Sequence, residues 1–535
     1  MKNDPNAWWK KGVIYQIYPR SFADSNQDGI GDLNGITKKL DYLKDLGVDA
    51  IWLSPINPSP DKDFGYDVAD YLDIDPKYGT MKDFELLIKE ARKRDIHVIL
   101  DLVLNHSSDQ HRWFIESKKS KDNPYHDFYL WRDPAKGGGV PNNWQSIFGG
   151  KGWEFVPGVG QYYYHMFVKE QPDLNWRNPK VRKELLDVFR FWLKKGVDGF
   201  RLDVFNNYFK DAQFRNNPIN RFGIRRFERQ THLYDTDQPE MIPLLQDIRK
   251  ILESKPGSYA VGETFMGGVK MAAKYCAPGL LPGTFNFSMV SGAWNARILQ
   301  RKITEWDQAV DDHSWPTQVM SHHDVRRIAT RLHASQDDRK LKQAAALLLT
   351  LRGTPYIYYG DEIGMRDIHV GKVEMQDPLG KQLWPFPVGR DGCRSPMQWD
   401  DSEFAGFSTH KSWLKVHPNH TQRNVIQQRS EKDSLFHFYQ KLIHVRKKNE
   451  ALNEGMFLPL TYDPLYIMAY LRQTAHETVL VVLNFSRRKM KFFLGRELAN
   501  RNWQLLLSSN PDQETTIKSN SLQLSGYEAC IYKAI

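Results

Sequence analysis

The sequence predicts an α/β chain organised as a (β/α)8 barrel, with a loop-rich domain inserted after the third strand and an antiparallel β-domain at the C-terminus. Three observations predict it. Amphipathic helices alternate with short apolar strands, the order expected of parallel strands joined by crossover helices. Eight such strands can be counted, the number that closes a barrel with its site at the strands' carboxyl ends. No glycine-rich phosphate loop follows an early strand, as a dinucleotide-binding open sheet would require.

The strands are, in order, VIYQIYP, AIWLSP, HVILDLVLNH, GFRLDV, YAVGET, TFNFSM, TQVMSH and PYIYYG. The helices between them follow from the spacing of apolar side chains. Leu40, Leu43 and Leu46 line one face of a helix that stops at Gly47 and runs into the second strand. Val181, Leu185, Val188 and Trp192 do the same ahead of Gly196 and the fourth strand. Glycine at both stops suits the left-handed residue that closes a helix C-terminus. FELLIKEARKRD precedes the third strand without a glycine. Between His106 and the helix beginning near Pro179, a run rich in Gly, Trp and Tyr is too long for a simple connection and marks an inserted domain. Beyond about Asn453, TVLVVLNFS, KMKFFL, WQLLL and SLQLSGYEACIYKAI read as successive short strands. The expected division is 1–106 with 175–453 as barrel, 107–174 as insert and 454–535 as β-domain.

Bulk properties exclude several classes of function. Of 535 residues, 74 are Lys or Arg and 64 Asp or Glu, a net charge of +10, and the two signs are interspersed. No basic stripe with interleaved aromatics stands out, so a nucleic-acid partner is not expected. Cys276, Cys393 and Cys530 lie far apart with no metal-ligand spacing, which argues against a disulfide framework and for a reducing, cytoplasmic setting. MKNDPNAWWKK lacks an apolar signal core and no apolar run is long enough to span a bilayer, so no membrane partner is expected.

Charged residues inside apolar strands carry the functional signal. In GVDGFRLDVFNN, Arg201 and Asp203 sit two apart and therefore share one face of a strand. DLVLNH closes the third strand with Asp101, Asn105 and His106, VGET the fifth with Glu263, and SHHD the seventh with His322, His323 and Asp324. Any one of these has a structural explanation, such as an ion pair for Asp203 or a helix N-cap for Glu263. Three carboxylates with histidines and an arginine, at ends that converge on one barrel mouth, call for another, because burying so much like charge without a use costs several kcal/mol.

DLVLNH, GFRLDV, VGET and HHD, in that order, resemble the four signature segments of the α-amylase family, glycoside hydrolase family 13. QPDLNW at 171–176 resembles a fifth, in the form typical of the α-glucosidase and oligo-1,6-glucosidase branch; RSPMQWD at 394–400 and FGYDVADY at 64–71 match that branch too. The resemblance implies retaining hydrolysis of terminal α-1,4- or α-1,6-linked glucose from short α-glucosides, with Asp203 as nucleophile and Glu263 as acid/base. It further implies that Asp324 grips sugar hydroxyls, His106 and His323 hydrogen-bond the same ring, Tyr66 stacks beneath it, and Asp63 pairs with Arg394 to close the pocket. The residues themselves agree. Arg201 on the face of Asp203 holds that carboxylate ionised, while Glu263 follows the apolar YAVG with no adjacent cation and is placed to keep its proton. His322 stands where the family usually has asparagine and is expected behind the substrate contacts. Val204 follows the nucleophile, and valine there tends to accompany α-1,6 bonds in this branch.

A transglucosylase or a sucrose or trehalose isomerase would keep every one of these residues and is the alternative. A non-catalytic transporter subunit would have lost the carboxylates, and an endo-acting amylase would not close its pocket with a pair such as Asp63 and Arg394. One motif stands apart from the catalytic set. DSNQDGIGD at 24–32 spaces oxygen-bearing side chains at alternate positions with glycine at the turn, as calcium loops do. An EF-hand would carry glutamate at its twelfth position, where Gly35 stands; Asp32 closes the loop at the ninth. The resemblance implies a structural calcium, with magnesium as the alternative, held by Asp24, Asn26, Asp28, Asp32 and the Ile30 carbonyl.

Overall fold

A computed structural model describes residues 7–264, 268–310, 314–334, 337–386, 388–460, 465–517 and 520–535; the first six residues of the segment searched for a signal core lie outside the described residues. Eight parallel strands form one sheet: β1 (Ile14–Ile17), β2 (Ala50–Leu53), β3 (His97–Leu102), β7 (Gly199–Leu202), β8 (Tyr259–Gly262), β9 (Gly283–Thr284), β10 (Thr317–Val319) and β11 (Thr354–Tyr358). Their order is β10-β11-β1-β2-β3-β7-β8-β9. At the seam between the two end strands the Thr317 hydroxyl donates to the Thr284 carbonyl at 2.6 Å, so the sheet curls into the expected barrel.

All eight expected strands are present, and several stop short of their expected carboxyl ends. β3 ends at Leu102, β7 at Leu202, β8 at Gly262 and β10 at Val319, while TFNFSM gives only Thr284 to the two-residue strand Gly283–Thr284 before a 3-10 turn at Ser288–Val290. Asp203, Glu263 and Asp324 therefore sit just past strand ends, where the backbone leaves the sheet and side chains can turn over the mouth. The strands are buried on both faces, as parallel strands wrapped by helices must be. Ile14, Trp52, Ile99, Tyr259, Val261 and Tyr356 fill the interior, and helix faces cover the outside.

Helix ends follow the sequence closely. Gly47 and Gly196 adopt φ of 96° and 105°, the left-handed closure that a side chain would strain. The helix Met81–Arg92, which lacks a glycine, instead places Asp95 at φ 54°, and its start is fixed by a Thr80–Asp83 capping box.

The insert carries β4 (Trp131–Arg132), β5 (Trp153–Val156) and β6 (Gln161–Tyr164) in a small antiparallel sheet of order β4-β6-β5. The C-terminal part holds β12 (Met456–Pro459), β13 (Ile467–Gln473), β14 (Thr478–Asn484), β15 (Met490–Phe493), β16 (Trp503–Ser508), β17 (Ser521–Leu524) and β18 (Ala529–Ala534). Five of these form a sheet of order β12-β13-β14-β18-β16, and β15 pairs with β17. The sequence reading did not single out β12 and β13. β12 is short and ends in proline, and β13 is buried nearly throughout, so the alternation that marks a half-exposed strand is absent. Arg472 of β13 turns into the interface with the barrel and donates to the carbonyls of Thr350, Leu452 and Gly455. No helix of the described residues is long and apolar enough to cross a membrane.

Candidate active site

A cavity of about 320 Å³ opens at the carboxyl ends of the barrel strands. Its walls include Asp63, Tyr66, His106, Asp203, Glu263 and Asp324, so the expected acids and their neighbours do meet around one space. His323, Arg201 and Arg394 lie directly beneath.

Arg201 is the hub. Its side chain is 1% exposed and its guanidinium donates to three carboxylates: from Nη1 to Asp101 and Asp203, each at 2.7 Å, and from Nη2 to Glu263. The sequence expectation that Glu263 has no adjacent cation is therefore corrected. The apolar strand before Glu263 hid a cation supplied by the neighbouring strand, because β7 pairs with β8 in register at Arg201 and Val261. Burial raises the Asp203 and Glu263 carboxyls above the ordinary range, with Arg201 pulling each back down. The expectation that Arg201 alone fixes Asp203 as an anion gives way to a dyad that shares its cation. Val204 turns the chain away from Asp203 at φ 34° and ψ 40°, a left-handed conformation that is strained for a β-branched residue.

A chain of hydrogen bonds sets the floor. Gln16 Nε2 lies 2.7 Å from His323 Nδ1, which fixes the proton on Nε2; that atom faces the Tyr66 hydroxyl at 2.6 Å and Asp324 at 3.1 Å. Tyr66 in turn donates to Asp101 at 3.0 Å, and Trp52 Nε1 donates to the same oxygen. The Tyr66 and His323 rings are stacked 5.3 Å apart. His106 Nε2 lies 2.9 Å from the Tyr66 carbonyl, and burial lowers its pKa to about 4, so the ring is neutral. His322 is lowered to about 4 for the same reason. His322 lines the cavity and packs on Phe287 at 4.8 Å, so it stands among the wall residues and not behind them.

One end of the cavity is closed by ions, and here the sequence expectation is corrected again. Asp63 pairs with Arg390 at 2.6 Å, not with Arg394. Arg390 also binds Asp377 at 2.7 Å and Asp324 at 3.2 Å. Arg394, one helical turn later, donates to Asp324 at 2.7 Å and to the His323 carbonyl at 2.9 Å. The 3-10 turn Asp391–Arg394 separates the two guanidiniums, sending one to the end wall and the other beneath Asp324. Burial pushes the Asp324 carboxyl up, but His323, Arg390 and Arg394 together hold it well below its ordinary value.

Arg390 and Gln171 were missed by sequence reasoning. Gln171 lies in the quoted QPDLNW and approaches Asp63, the Tyr66 carbonyl and His106 at 3.4, 3.0 and 3.1 Å. Arg390 precedes the RSPMQWD motif, and only its place in space distinguishes it from other arginines. Behind this wall, the fully buried Lys210 joins Asp173 of the insert, the Asn105 side chain at 2.8 Å and the Asn207 carbonyl.

The loop at 24–32 lies apart from the cavity and is tightly folded. Asp24 accepts from the backbone amides of Asn26, Gln27 and Gly29, and Asp28 from that of Ile30. Asp32 accepts from Ser25 and caps the following helix at the Gly35 amide. Among the described residues, these acids accept from amides and small polar side chains, not from lysine or arginine.

Comparisons with known proteins extend the picture. The family model described as alpha amylase, catalytic domain, matches residues 16–455, and one described as the alpha-amylase SusG C-terminal domain matches 467–531. An oligo-1,6-glucosidase of Parageobacillus thermoglucosidasius is 40% identical, covering 98% of this chain and 99% of its own. Among solved structures, the alpha-glucosyl transfer enzyme XgtA superposes with a TM-score of 0.94 at 37% identity, over 99% of this chain and 100% of its own. The trehalulose synthase MutB from Pseudomonas mesoacidophila MX-45 gives 0.91 at 35% identity, with 99% of both chains covered.

Proposed function

The chain belongs to the α-amylase family of glycoside hydrolases, and from that premise we propose that it is an exo-acting retaining α-glucosidase, removing terminal α-linked glucose from short α-glucosides. The observation that carries the reading is Arg201 shared by Asp203 and Glu263 beside a cavity closed at one end by Asp63 and Arg390. Two carboxylates on one guanidinium suit the roughly 5–5.5 Å separation of retaining enzymes, which leaves no room for the water that inverting enzymes place between them. A closed end admits one terminal ring, hence exo action.

Glu263 holds the proton of the dyad and gives it to the glycosidic oxygen while Asp203 attacks the anomeric carbon, forming a glucosyl ester and releasing the aglycone. Glu263, now a carboxylate, takes a proton from water as the water oxygen displaces Asp203. Asp324, kept anionic by Arg390 and Arg394, accepts sugar hydroxyls and opposes the positive charge that develops at the ring. Neutral His106 and His323 hold the Tyr66 backbone, the Tyr66 hydroxyl and Asp324 in place around the same ring. Asp63 and Arg390 reach the hydroxyl farthest from the cleaved bond.

Hydrolysis of maltose beside isomaltose by the wild type and by Asp203→Ala tests the reading. The wild type is expected to release α-glucose, and the variant to lose about 10³-fold or more in kcat, as an enzyme deprived of its nucleophile does. β-Glucose as first product, or turnover retained in the variant, defeats it. The rival, a glucosyl transferase or isomerase on the same residues, draws support from the likeness to XgtA and MutB. Product analysis on sucrose and trehalose separates the two.

We also propose that Asp24, Asn26, Asp28, Asp32 and the Ile30 carbonyl hold a structural calcium, or magnesium in its stead. Oxygen donors at alternate positions of one tight turn, with no pairing lysine or arginine among the described residues, suit a hard divalent cation. Three unpaired, buried cysteines support a reducing, cytoplasmic setting.

A further inference from the structure

We propose that His322, His323 and Asp324 form a binding site for a transition-metal dication, zinc before others, whose occupation shuts the enzyme reversibly. The site stands on geometry alone; its effect on turnover rests on the glucosidase reading. His322 is where this chain departs from the asparagine usual in its family, and the exchange sets a second imidazole beside a carboxylate. One nitrogen of each ring and one oxygen of Asp324 all lie within 4.8 Å of one another. Asp324 Oδ2 is 3.1 Å from His323 Nε2 and 3.9 Å from His322 Nδ1. Ligand atoms on a tetrahedral zinc, with bonds of about 2.0–2.1 Å, stand about 3.3 Å apart, and these two separations bracket that value.

The surroundings suit a metal. Both guanidiniums that serve Asp324 bind its Oδ1, which leaves Oδ2 facing the histidines. His322 Nδ1 accepts from the Asp324 amide at 3.3 Å, a long contact that a metal displaces at little cost, and the proton of that ring therefore sits on Nε2. His323 must move its own proton from Nε2 to Nδ1, and an acceptor waits there. Gln16 is 1% exposed, and its Oε1 has no hydrogen-bond partner among the described residues. Turning the amide over brings Oε1 to His323 Nδ1 in place of the Nε2 now 2.7 Å away, and a metal-bound histidine uses such an acceptor on its far nitrogen. Two imidazoles and a carboxylate suit zinc or copper, whereas calcium and magnesium take oxygen. The charge of the cavity favours a cation too, since Asp203 and Glu263 in its walls share one guanidinium.

Access and effect follow from the place. His322 and Asp324 line the cavity, and the Asp324 side chain is 29% exposed, so an ion enters from solvent. Once bound it takes the carboxylate oxygen that would accept sugar hydroxyls, and the water on its fourth position fills part of the ring's space, so metal and substrate exclude each other. Binding moves one proton within the His323 ring and releases none. With asparagine at 322 only one imidazole and one carboxylate would remain, too few to hold zinc firmly.

The test uses the full chain without an affinity tag, in excess calcium so that any site built for hard cations is filled. Cobalt(II) titrated in without substrate is expected to give the visible absorption of a nitrogen-ligated site, saturating at one equivalent, displaced by zinc and lost in His322→Asn. Micromolar zinc chloride is expected to inhibit hydrolysis of maltose or isomaltose by raising KM at nearly constant kcat, with calcium-EDTA restoring the rate and magnesium without effect. In His322→Asn, measured against its own metal-free rate, half-inhibition should need at least about tenfold more zinc, because even outer-shell changes weaken a metal site about 10- to 100-fold. His322→Gln serves if the first variant folds poorly. Absence of cobalt absorption in the wild type overturns the inference, as does zinc inhibition unshifted in both variants, or cobalt bound without zinc inhibition of a working enzyme. If neither donor is hydrolysed, the glucosidase reading falls and the cobalt titration alone decides the metal site; if hydrolysis proceeds indifferent to zinc, only the metal site falls.

Discussion

Arg390→Met tests the corrected end wall most directly. In the folded chain this guanidinium makes four side-chain hydrogen bonds to three carboxylates, two to Asp377 and one each to Asp63 and Asp324, at 2.6 to 3.2 Å. Breaking a buried ion pair from one side costs about 3–5 kcal/mol, mostly through the charge left behind. Asp63, whose carboxyl burial already pushes upward against the pull of Arg390, would relieve part of that by taking a proton. A loss of about 3–4 kcal/mol in transition-state stabilisation follows, or about 10²- to 10³-fold in kcat/KM on maltose. Arg390→Lys keeps the charge without the fork and should fall between. The decisive measurement is a pair of double-mutant cycles on kcat/KM, with thermal melts to confirm folding. Asp63→Asn combined with Arg390→Met should show coupling of about 1.5 kcal/mol or more, whereas Asp63→Asn with Arg394→Met should couple by less than about 1 kcal/mol. The reverse order would restore the Asp63–Arg394 pairing expected from the motifs and refute the geometry.

Four further outcomes follow from the structure. Lys210→Met strands the buried Asp173 and should lower unfolding free energy by about 3–5 kcal/mol in urea titrations; a change under 1 kcal/mol would deny the lysine its role of joining insert to barrel. His106 and His322 have folded pKa values near 4, below the usual 6.5 of an unfolded chain, so the unfolded state binds more protons between those values. Their contribution, about 3 kcal/mol each, is complete above about pH 6.5 and is lost as pH falls toward 4, and urea midpoints that stay flat across that window would contradict it. A Cβ at Gly262 would meet the Phe205 ring at 2.4 Å and Leu281 at 2.7 Å, so Gly262→Ala should cost about 1–3 kcal/mol and displace the adjoining Glu263, seen as a drop in kcat at nearly constant KM. Chelation should lower the melting temperature by several degrees, calcium should restore it, and Asp28→Asn should blunt both responses.

How much of this was legible in the chain depends on the distance over which each feature is encoded. The barrel was readable because each helix-strand unit states its own identity locally, as the run from Leu40 through Gly47 into β2 shows. The acids were readable because a carboxylate at the end of an apolar strand has few other reasons to be there. What escaped was pairing between segments far apart. Arg390 and Arg394 are four residues apart in one turn, and nothing in their sequence says which of them faces Asp63, more than 300 positions earlier. The cation beside Glu263 escaped for the same reason, since Arg201 reaches it across a parallel strand pair and not along the chain. β13 escaped because it is buried nearly throughout, Arg472 included, which packs against carbonyls of the barrel and leaves no alternation to mark the strand.

The uneven sharing of cations explains why the dyad is fit for its cycle. Six buried or partly buried carboxylates, Asp63, Asp101, Asp203, Glu263, Asp324 and Asp377, face three guanidiniums, while His106, His322 and His323 are held neutral. Arg390 and Arg394 both serve Asp324 and keep it anionic. Arg201 alone serves three carboxylates, and one positive charge cannot hold three buried negative ones ionised. Tyr66 and Trp52 donate to Asp101 and stabilise its charged form, so the excess proton falls to the pair Asp203 and Glu263. A retaining cycle begins from that state, with one acid protonated and one ionised. On the proposed roles, Asp203 loses its charge on becoming an ester, and in the same step Glu263 gives up its proton and becomes the anion. The charge facing Arg201 is therefore two negatives before the attack and two after it. The guanidinium need not reorganise as the reaction proceeds, and a fixed charge in a dry site stabilises the transition state most when nothing around it has to move.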